Sequence, residues 1–431
     1  MQDVIVVGAG PAGNNAALSL ASNGYGVTVI DSRENIGDKL CTGLVGEECF
    51  RRYPIDPSLV YREINSASVI SPSSEVVRFE TPTTVARVVD RVAYVSSFAD
   101  KAVDAGADYL LGSRVVSLEQ HPDRVTVVTD GSSDSNTLEA RALVLAAGFG
   151  SQLNRQLGLG EPSDYVVGTQ ALVKTEGVEE VEVYLGRDVA PGFFAWLVPT
   201  KPGYALAGLL VRKNAKEWFS NFISARQAEG KIIETADKPI CWGIPLRPLK
   251  KTYTDRVLVV GDAAGQVKPT TGGGIFYSLL ASEIASGALQ QALSEDRLSA
   301  NQLGAYQKEW KNLLSNELEV GYSARRAFEF LGDSHINSLI NQASTNGFGA
   351  ELAASPDVSF DWHSSMIGKI MGHPTLGGVL KLVNPLLARM AKVPEPAEVF
   401  ASEASIEASE ASEAYVEESG ELSMAETGTP V

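Results

Sequence analysis

Apolar positions in the first thirty residues switch between two periods. Val4-Ile5-Val6-Val7 is a continuous apolar run of strand length and reads as a buried strand. Gly8-Ala9-Gly10-Pro11-Ala12-Gly13 reads as a turn, and residues 14–22 carry helical spacing. Val27-Thr28-Val29-Ile30 is the next strand and ends on Asp31. Further on, a helix is expected over residues 93–105 before Gly106. Val125-Thr126-Val127-Val128 reads as a strand closed by the turn Asp130-Gly131. Leu143-Val144-Leu145-Ala146 has the unbroken apolar character of a parallel strand, with Gly148 and Gly150 after it.

The pattern changes over residues 160–250. Val181-Glu182-Val183-Tyr184, Phe194-Ala195-Trp196-Leu197-Val198 and Tyr204-Ala205-Leu206-Ala207 alternate as strands with few helical periods, which predicts a mainly antiparallel sheet. Arg256-Val257-Leu258-Val259-Val260 then returns to the first pattern, and a long helix is expected from about Gly274 to Leu293. The expected fold is α/β: a Rossmann-like domain built discontinuously from residues 1–60, 85–160 and 250–295. A β-sheet domain for substrate is expected from residues 61–84 and 161–249. Residues 296–393 read as helical, and residues 394–431 repeat Ala-Ser-Glu and lack the apolar content to fold.

Composition narrows the class. The chain is 44% hydrophobic and 21% charged, as in ordinary globular proteins, and no apolar run reaches the roughly 18 residues of a spanning helix. The N-terminal Met1-Gln2-Asp3 leads directly into a strand, so no signal peptide is expected. Cys41, Cys49 and Cys241 are too few for a disulfide framework or a four-thiolate metal site, and the histidines are scattered, so no metal is expected. A reduced, cytoplasmic, monomeric protein is the default. The net charge is −17, and ten of the acidic residues lie in residues 394–431 with no basic residue among them. That balance argues against nucleic acid, whose backbone needs a basic surface.

The chemistry starts at the first turn. Gly8-x-Gly10-x-x-Gly13 sits between a strand and a helix, where Gly8 permits the tight turn, Gly10 the approach of a pyrophosphate and Gly13 close helix packing. The N-terminus of the helix that follows Pro11 and Ala12 attracts the phosphates, and Asp31 is placed to accept ribose hydroxyls. The pattern by itself does not separate NAD from FAD. Far along the chain stands Val260-Gly261-Asp262-Ala263-Ala264-Gly265, followed by Pro269-Thr270-Thr271-Gly272-Gly273-Gly274-Ile275. Glycines leading into a helix let the backbone approach a planar ring and stabilise negative charge on it.

The Gly261-Asp262 segment resembles the second FAD-binding sequence of glutathione-reductase-like flavoproteins. With residues 269–275 it is similar to the geranylgeranyl reductase family, whose members saturate isoprenoid chains of membrane lipids or chlorophyll. The resemblance spans about residues 1–330 and implies FAD as cofactor. It implies Asp262 on the ribityl chain and Gly273, Gly274 and Ile275 beside the flavin. Lys39-Leu40-Cys41-Thr42-Gly43-Leu44 resembles the family's Cys-Gly loop next to the flavin, with Thr42 where the family has Gly; Cys41, Thr42 and Leu44 are carried as contacts. Asp90-Arg91 opens a helix where the family places an Arg on the cofactor, and Val115 corresponds to a backbone contact to adenine. Phe194, Trp196 and Pro199 stand in a stretch resembling the family's Tyr-x-Trp-x-Phe-Pro motif, which shapes the lipid pocket.

Several readings stay open at this stage. Cys41 either tunes the flavin or relays a proton, or packs as a small apolar residue; Tyr277 and water are the other candidate acids. Trp196 is a core aromatic or a substrate platform, and Arg91 a cofactor contact or a solvated charge. A flavin monooxygenase or halogenase is the alternative enzyme, and a flavin-binding protein without turnover the alternative class. The external electron donor is NAD(P)H or reduced ferredoxin. Residues 377–392 form either a terminal helix pair kinked at Pro385 or a peripheral contact with the inner face of a membrane.

Overall fold

In the computed structural model the described residues are 1–37, 41–131, 136–345, 347–355 and 358–372. The expectations for Lys39 and Leu40, for residues 377–392 and for the acidic tail lie outside them.

The apolar run near the N-terminus is strand Gln2–Val7, in which Val4, Ile5 and Val6 are fully buried. It lies parallel to Val27–Ile30 on one side and Asn136–Leu145 on the other. The sheet order is Tyr253–Thr254, Val257–Val259, Asn136–Leu145, Gln2–Val7, Val27–Ile30, Asp108–Leu110, all parallel except the first. Both faces are covered, so these strands read as unbroken apolar runs. Helices Pro11–Ala21, Arg91–Asp104 and Ile275–Ser294 share one cluster on one face, together with Val4, Val6, Val27 and Val29. Ile5, Val7, Leu143 and Leu145 enter a second cluster on the opposite face.

The second large sheet has eight strands, antiparallel apart from Val181–Leu185 beside Ser66–Ile70. Strand Phe194–Pro199 shows why its pattern is hard to read. Ala195 and Leu197 pack in the cluster with helix Ala215–Ala228, whereas Phe194, Trp196 and Val198 belong to the cluster on the other face. Successive side chains point to opposite faces, but both faces are apolar, so the alternation disappears from the sequence. A small sheet of Leu44–Gly46, Ala86–Val89 and Val60–Ile64 packs against both, with Val45 and Val89 in a cluster of the first large sheet and Ile64, Ala86 and Val88 in one of the second, and it draws strands from both sides of the boundaries expected near 60 and 85.

Some elements differ from expectation. The first helix starts at Pro11 rather than Asn14, because a proline at the first helical position needs no hydrogen-bond partner. The helix expected from residue 93 starts at Arg91, because the Asp90 carboxylate caps it by accepting from the Ala93 N–H at 3.0 Å. Arg256 precedes its strand in a left-handed conformation, φ 63°, and the strand is only Val257–Val259. Beyond the second glycine-rich segment, Ala300–Glu329 packs on Ile275–Ser294, and the shorter helices Asp333–Thr345 and Phe348–Ala353 reach the strand Val76–Glu80. No described helix is long and apolar enough to cross a membrane.

Candidate functional site

The first glycine turn has the geometry its sequence requires. Gly8 has φ 106°, and a methyl group there would overlap the Ala146 carbonyl. A methyl at Gly13 would overlap the Gly8 carbonyl oxygen. At Gly10, by contrast, nothing lies within 4 Å of where a Cβ would stand. That space adjoins the first turn of helix Pro11–Ala21, whose leading N–H groups have no carbonyl within the helix. Asp31 is held against the turn: its carboxylate accepts from the Ala9 N–H at 2.7 Å and the Arg33 N–H at 2.8 Å. A carboxylate has about four acceptor positions, so capacity for hydroxyl donors is left over. The Asp31 carbonyl accepts from the Ser113 N–H at 2.9 Å, which brings strand Ser113–Gln120, and with it Val115, to the same edge.

The second turn meets the first. Gly261 has φ 68°, and a Cβ there would lie 3.2 Å from both the Ala12 Cβ and the Ser278 hydroxyl. Asp262 follows in a short 3₁₀ turn closed by Gly265, φ 74°. Gly274 caps helix Ile275–Ser294, and a Cβ on it would come 2.8 Å from Asp262 Oδ1. Gly8, Gly10, Pro11, Ala12 and Gly13 are thus gathered with Asp262, Gly274 and Ile275, and Gly273 sits in the loop before them. Two helix N-termini more than 260 residues apart in the chain, at Pro11 and Ile275, lie near one another, a suitable electrostatic setting for an anionic cofactor.

Arg91 is buried, 8% exposed, and donates from Nη1 to the Gly37 carbonyl at 2.6 Å. The solvated alternative for Arg91 is therefore wrong: the side chain ties the loop after Asp31 to helix Arg91–Asp104. In the next loop Cys41 and Thr42 are half-buried and Cys41 is a free thiol. The backbone demand for glycine falls on Gly43 rather than Thr42, since Gly43 has φ 63° and packs on the Val89 carbonyl. Leu44, Phe194 and Trp196 share one apolar cluster with Val267 of the second glycine-rich segment, and Phe360 packs against it. Gly272 rests on the floor of that cluster, 3.2 Å from Ile244 Cδ1 to its would-be Cβ. Trp196 is 7% exposed, lies over Gly208 of the neighbouring strand, and donates from Nε1 to Gln170 Oε1 at 3.3 Å. Pro199 is buried at the end of the same strand.

Sequence reasoning missed a second layer. Asn14 donates from Nδ2 to the Ala9 carbonyl at 2.9 Å and accepts from the Tyr109 hydroxyl at 3.0 Å. Lys268, 3% exposed, donates from Nζ to the Phe360 carbonyl at 2.6 Å and pairs with Asp361 at 3.4 Å. His363 joins them, with Nδ1 2.5 Å from the Thr270 hydroxyl. Burial and the Lys268 cation push the His363 ring down to about 3, so it stays neutral. Burial likewise raises the Tyr277 phenol above its usual range. The available signal was polarity in apolar surroundings: Asn14-Asn15 opens an otherwise apolar helix, and Lys268 is the sole basic residue between Arg256 and Arg297.

A sequence profile described as pyridine nucleotide-disulphide oxidoreductase matches residues 2–180. The chain is 30% identical over 358 residues to digeranylgeranylglycerophospholipid reductase 1 of Methanosphaera stadtmanae, covering 80% of this chain and 88% of that protein. It is 29% identical to digeranylgeranylglycerophospholipid reductase 2 of Methanothermobacter thermautotrophicus, covering 83% and 94%. Among solved structures, a geranylgeranyl bacteriochlorophyll reductase-like protein of Thermoplasma acidophilum superposes with TM-score 0.79 at 21% identity, covering 89% of this chain and 99% of that one. A halogenase in complex with phloroglucinol and FAD superposes less well, with TM-score 0.63 at 15% identity over 90% and 96% of the two chains. These likenesses, joined to the two converging glycine turns, lead to one conclusion: the chain belongs to the digeranylgeranylglycerophospholipid reductase family of oxidoreductases.

Proposed function

We propose that this protein is an FAD-dependent reductase that saturates carbon–carbon double bonds of a geranylgeranyl-type lipid or prenyl compound. The observation that carries the reading is the junction at Ala12 and Gly261, where the dinucleotide turn and the Gly-Asp turn adjoin beside an apolar cluster containing Phe194 and Trp196. The open space at Gly10, the glycine-only geometry at Gly8 and Gly13, and the free acceptor capacity of Asp31 fit a dinucleotide. Gly8, Gly10, Pro11, Ala12, Gly13 and Asp31 would hold its adenosine diphosphate half, with Val115 toward the adenine. Asp262, Gly273, Gly274 and Ile275 would hold the flavin half, with Cys41, Thr42, Leu44 and Arg91 closing the site.

Bound FAD, once reduced, supplies the hydride that an unactivated alkene requires. The remaining work falls to the chain. The cluster of Leu44, Phe194, Trp196, Val198 and Ile244 excludes water and orients an isoprenoid chain by contact rather than by hydrogen bonds. Cys41, half-buried and free, would carry the proton for the second carbon. Burial raises the Tyr277 phenol above its usual range, which makes it a weaker acid than an ordinary tyrosine. The electrons enter from NAD(P)H or reduced ferredoxin, which anaerobic bleaching of the yellow protein by each donor separates. Membrane contact through residues 377–392 rests on sequence, and liposome flotation with and without that segment tests it.

The function is tested by incubating dithionite-reduced enzyme with a geranylgeranylated glycerolipid and with geranylgeranyl diphosphate. Mass spectrometry is expected to find product two mass units heavier per bond reduced, with Cys41→Ser slower. Absence of any saturated product with either substrate overturns the reading.

A further inference from the structure

A buried ion pair connects three segments far apart in the chain: the loop at Lys268, residues 358–364, and residues 46–49. Lys268 and Asp361 are 3% and 1% exposed. On the lysine side, the backbone of Lys268 brackets the glycine loop: its N–H donates to the Gly273 carbonyl at 3.1 Å, and its carbonyl accepts from the Gly272 N–H at 2.9 Å. On the acid side, Asp361 Oδ2 accepts from the Glu48 N–H at 3.0 Å and the Cys49 N–H at 3.1 Å. Those amides follow directly on strand Leu44–Gly46, which ends the loop carrying Cys41. Any side chain at Gly46 would overlap the Asp361 carboxylate, so that glycine is needed for the acid to seat.

The surroundings hold the pair from every side. The Lys268 ammonium also donates to the Phe360 carbonyl at 2.6 Å and lies 4.7 Å over the Phe360 ring and 5.7 Å over that of Tyr277. The Thr270 hydroxyl, two residues on, bonds His363. Trp362, between Asp361 and His363, packs at 5.7 Å on Tyr277 in the first turn of the helix that Gly274 caps, and donates from Nε1 to Glu48. Residues 358–364 therefore strap the glycine loop to the end of the Cys41 loop. A buried pair of this kind often adds little stability compared with apolar replacements, which makes a geometric role the better account of it.

We propose that Lys268 and Asp361 are positioning residues. Their pair fixes the register between the 272–274 glycine loop and residues 41–46, and thereby the alignment of the flavin ring between those two loops. This rests on the FAD reading given above. Neither side chain is assigned contact with the substrate.

The test uses the full chain as wild type, as the single Asp361→Asn, and as the double Lys268→Met/Asp361→Asn. Lys268→Met by itself is avoided, since it would leave a buried carboxylate uncompensated, whereas in Asp361→Asn the lysine keeps the Phe360 carbonyl, and burial, which already lowers its pKa, lets it lose its proton. Asparagine retains an acceptor for the Glu48 and Cys49 amides. FAD affinity of the deflavinated protein is read by fluorescence quenching, and the midpoint potential of the bound flavin is read at saturating FAD. Both variants are expected to keep the wild-type circular dichroism, bind FAD about tenfold more weakly, and shift the potential by about 30 mV, which is a tenfold change in the relative binding of the two oxidation states. A folded double variant whose potential matches the wild type overturns the proposal, even where affinity falls, because a merely structural pair would leave the potential alone. If the double variant does not fold, an unchanged potential in Asp361→Asn overturns it equally. Wild-type protein that takes up no FAD overturns the cofactor reading and this inference together, whereas normal uptake with unaffected variants overturns this inference alone.

Discussion

Asn15 and Ser282 stand 267 positions apart and are joined by a 2.8 Å hydrogen bond from Asn15 Nδ2 to the serine hydroxyl. The same amide reaches the Leu279 carbonyl at 3.2 Å. The bond lies between helices Pro11–Ala21 and Ile275–Ser294, whose N-termini form the candidate cofactor site, and it is buried. It acts as a pin between the two halves of that site.

Removing the pin should loosen the site more than it harms the core. Asn15→Ala leaves the Ser282 hydroxyl short of a donor and opens a small gap between the helices. The expected loss is about 1–3 kcal/mol of unfolding free energy, measured by urea titration. FAD retention through gel filtration should fall in parallel. Undiminished stability would show that the helices are held by their apolar contacts without this bond.

The glycines of the first turn should separate by function. Gly10→Ala places a methyl in open space, so stability should change by no more than about 1 kcal/mol. That methyl occupies the approach path of a pyrophosphate, so FAD affinity should drop by about tenfold or more. Gly13→Ala meets the Gly8 carbonyl and should cost stability outright, about 1–3 kcal/mol, by forcing the backbone apart. Thermal melts and flavin content measured side by side distinguish the two; equal damage at both positions would contradict the assignment of Gly10.

Acid should weaken the protein through His363. The folded ring titrates at about 3, well below its ordinary 6.5, because burial and the Lys268 cation oppose its charging. Between those values the unfolded chain binds the additional proton. Stability from this group is therefore complete above about pH 6.5 and is lost as pH falls toward 3, by about 1.4 kcal/mol per unit. Urea midpoints at pH 7.5 and pH 5.5 should differ in the wild type and differ less in His363→Asn. A variant with the same pH slope as wild type would remove His363 from this account.

Trp196 and Gly208 should behave as a coupled pair. They face each other in neighbouring antiparallel strands, and a methyl at Gly208 would overlap the indole. Gly208→Ala is expected to cost about 1–3 kcal/mol, and Trp196→Leu about 2–4 kcal/mol through the cavity it leaves. Because alanine partly fills the space vacated by the indole, the double variant should be less damaged than the sum of the singles, with a coupling of about 1 kcal/mol in denaturant titrations. Simple additivity would indicate that the ring has moved off the glycine.

Much of the site was readable because its determinants are local. Gly8, Gly10 and Gly13 act on a single turn, Asp31 ends the adjacent strand, and Gly261-Asp262 and Gly272-Gly273-Gly274 act on another. Backbone conformation at a glycine is set by its own missing Cβ, so the pattern survives without tertiary context. Arg91 was singled out from the sequence as a cofactor contact, whereas its bond to the Gly37 carbonyl was not legible, since nothing in the spacing joins residues 37 and 91. The role of Trp196 stayed open for a similar reason: its neighbour Gly208 is a consequence of strand register, which the apolar runs on both faces conceal.

The sequence by itself determined the α/β alternation, the two glycine turns and their acids, and the family they resemble, because short-range sterics and hydrophobic periodicity produce those features. Only the tertiary structure decided that the turns meet at Ala12 and Gly261, that Asn15 bonds Ser282, and that Lys268 is paired with Asp361 beneath the glycine loop. Those relationships join residues from distant parts of the chain. Their energies come from burial and from satisfying polar groups away from water, which exist once the sheets and helices have packed.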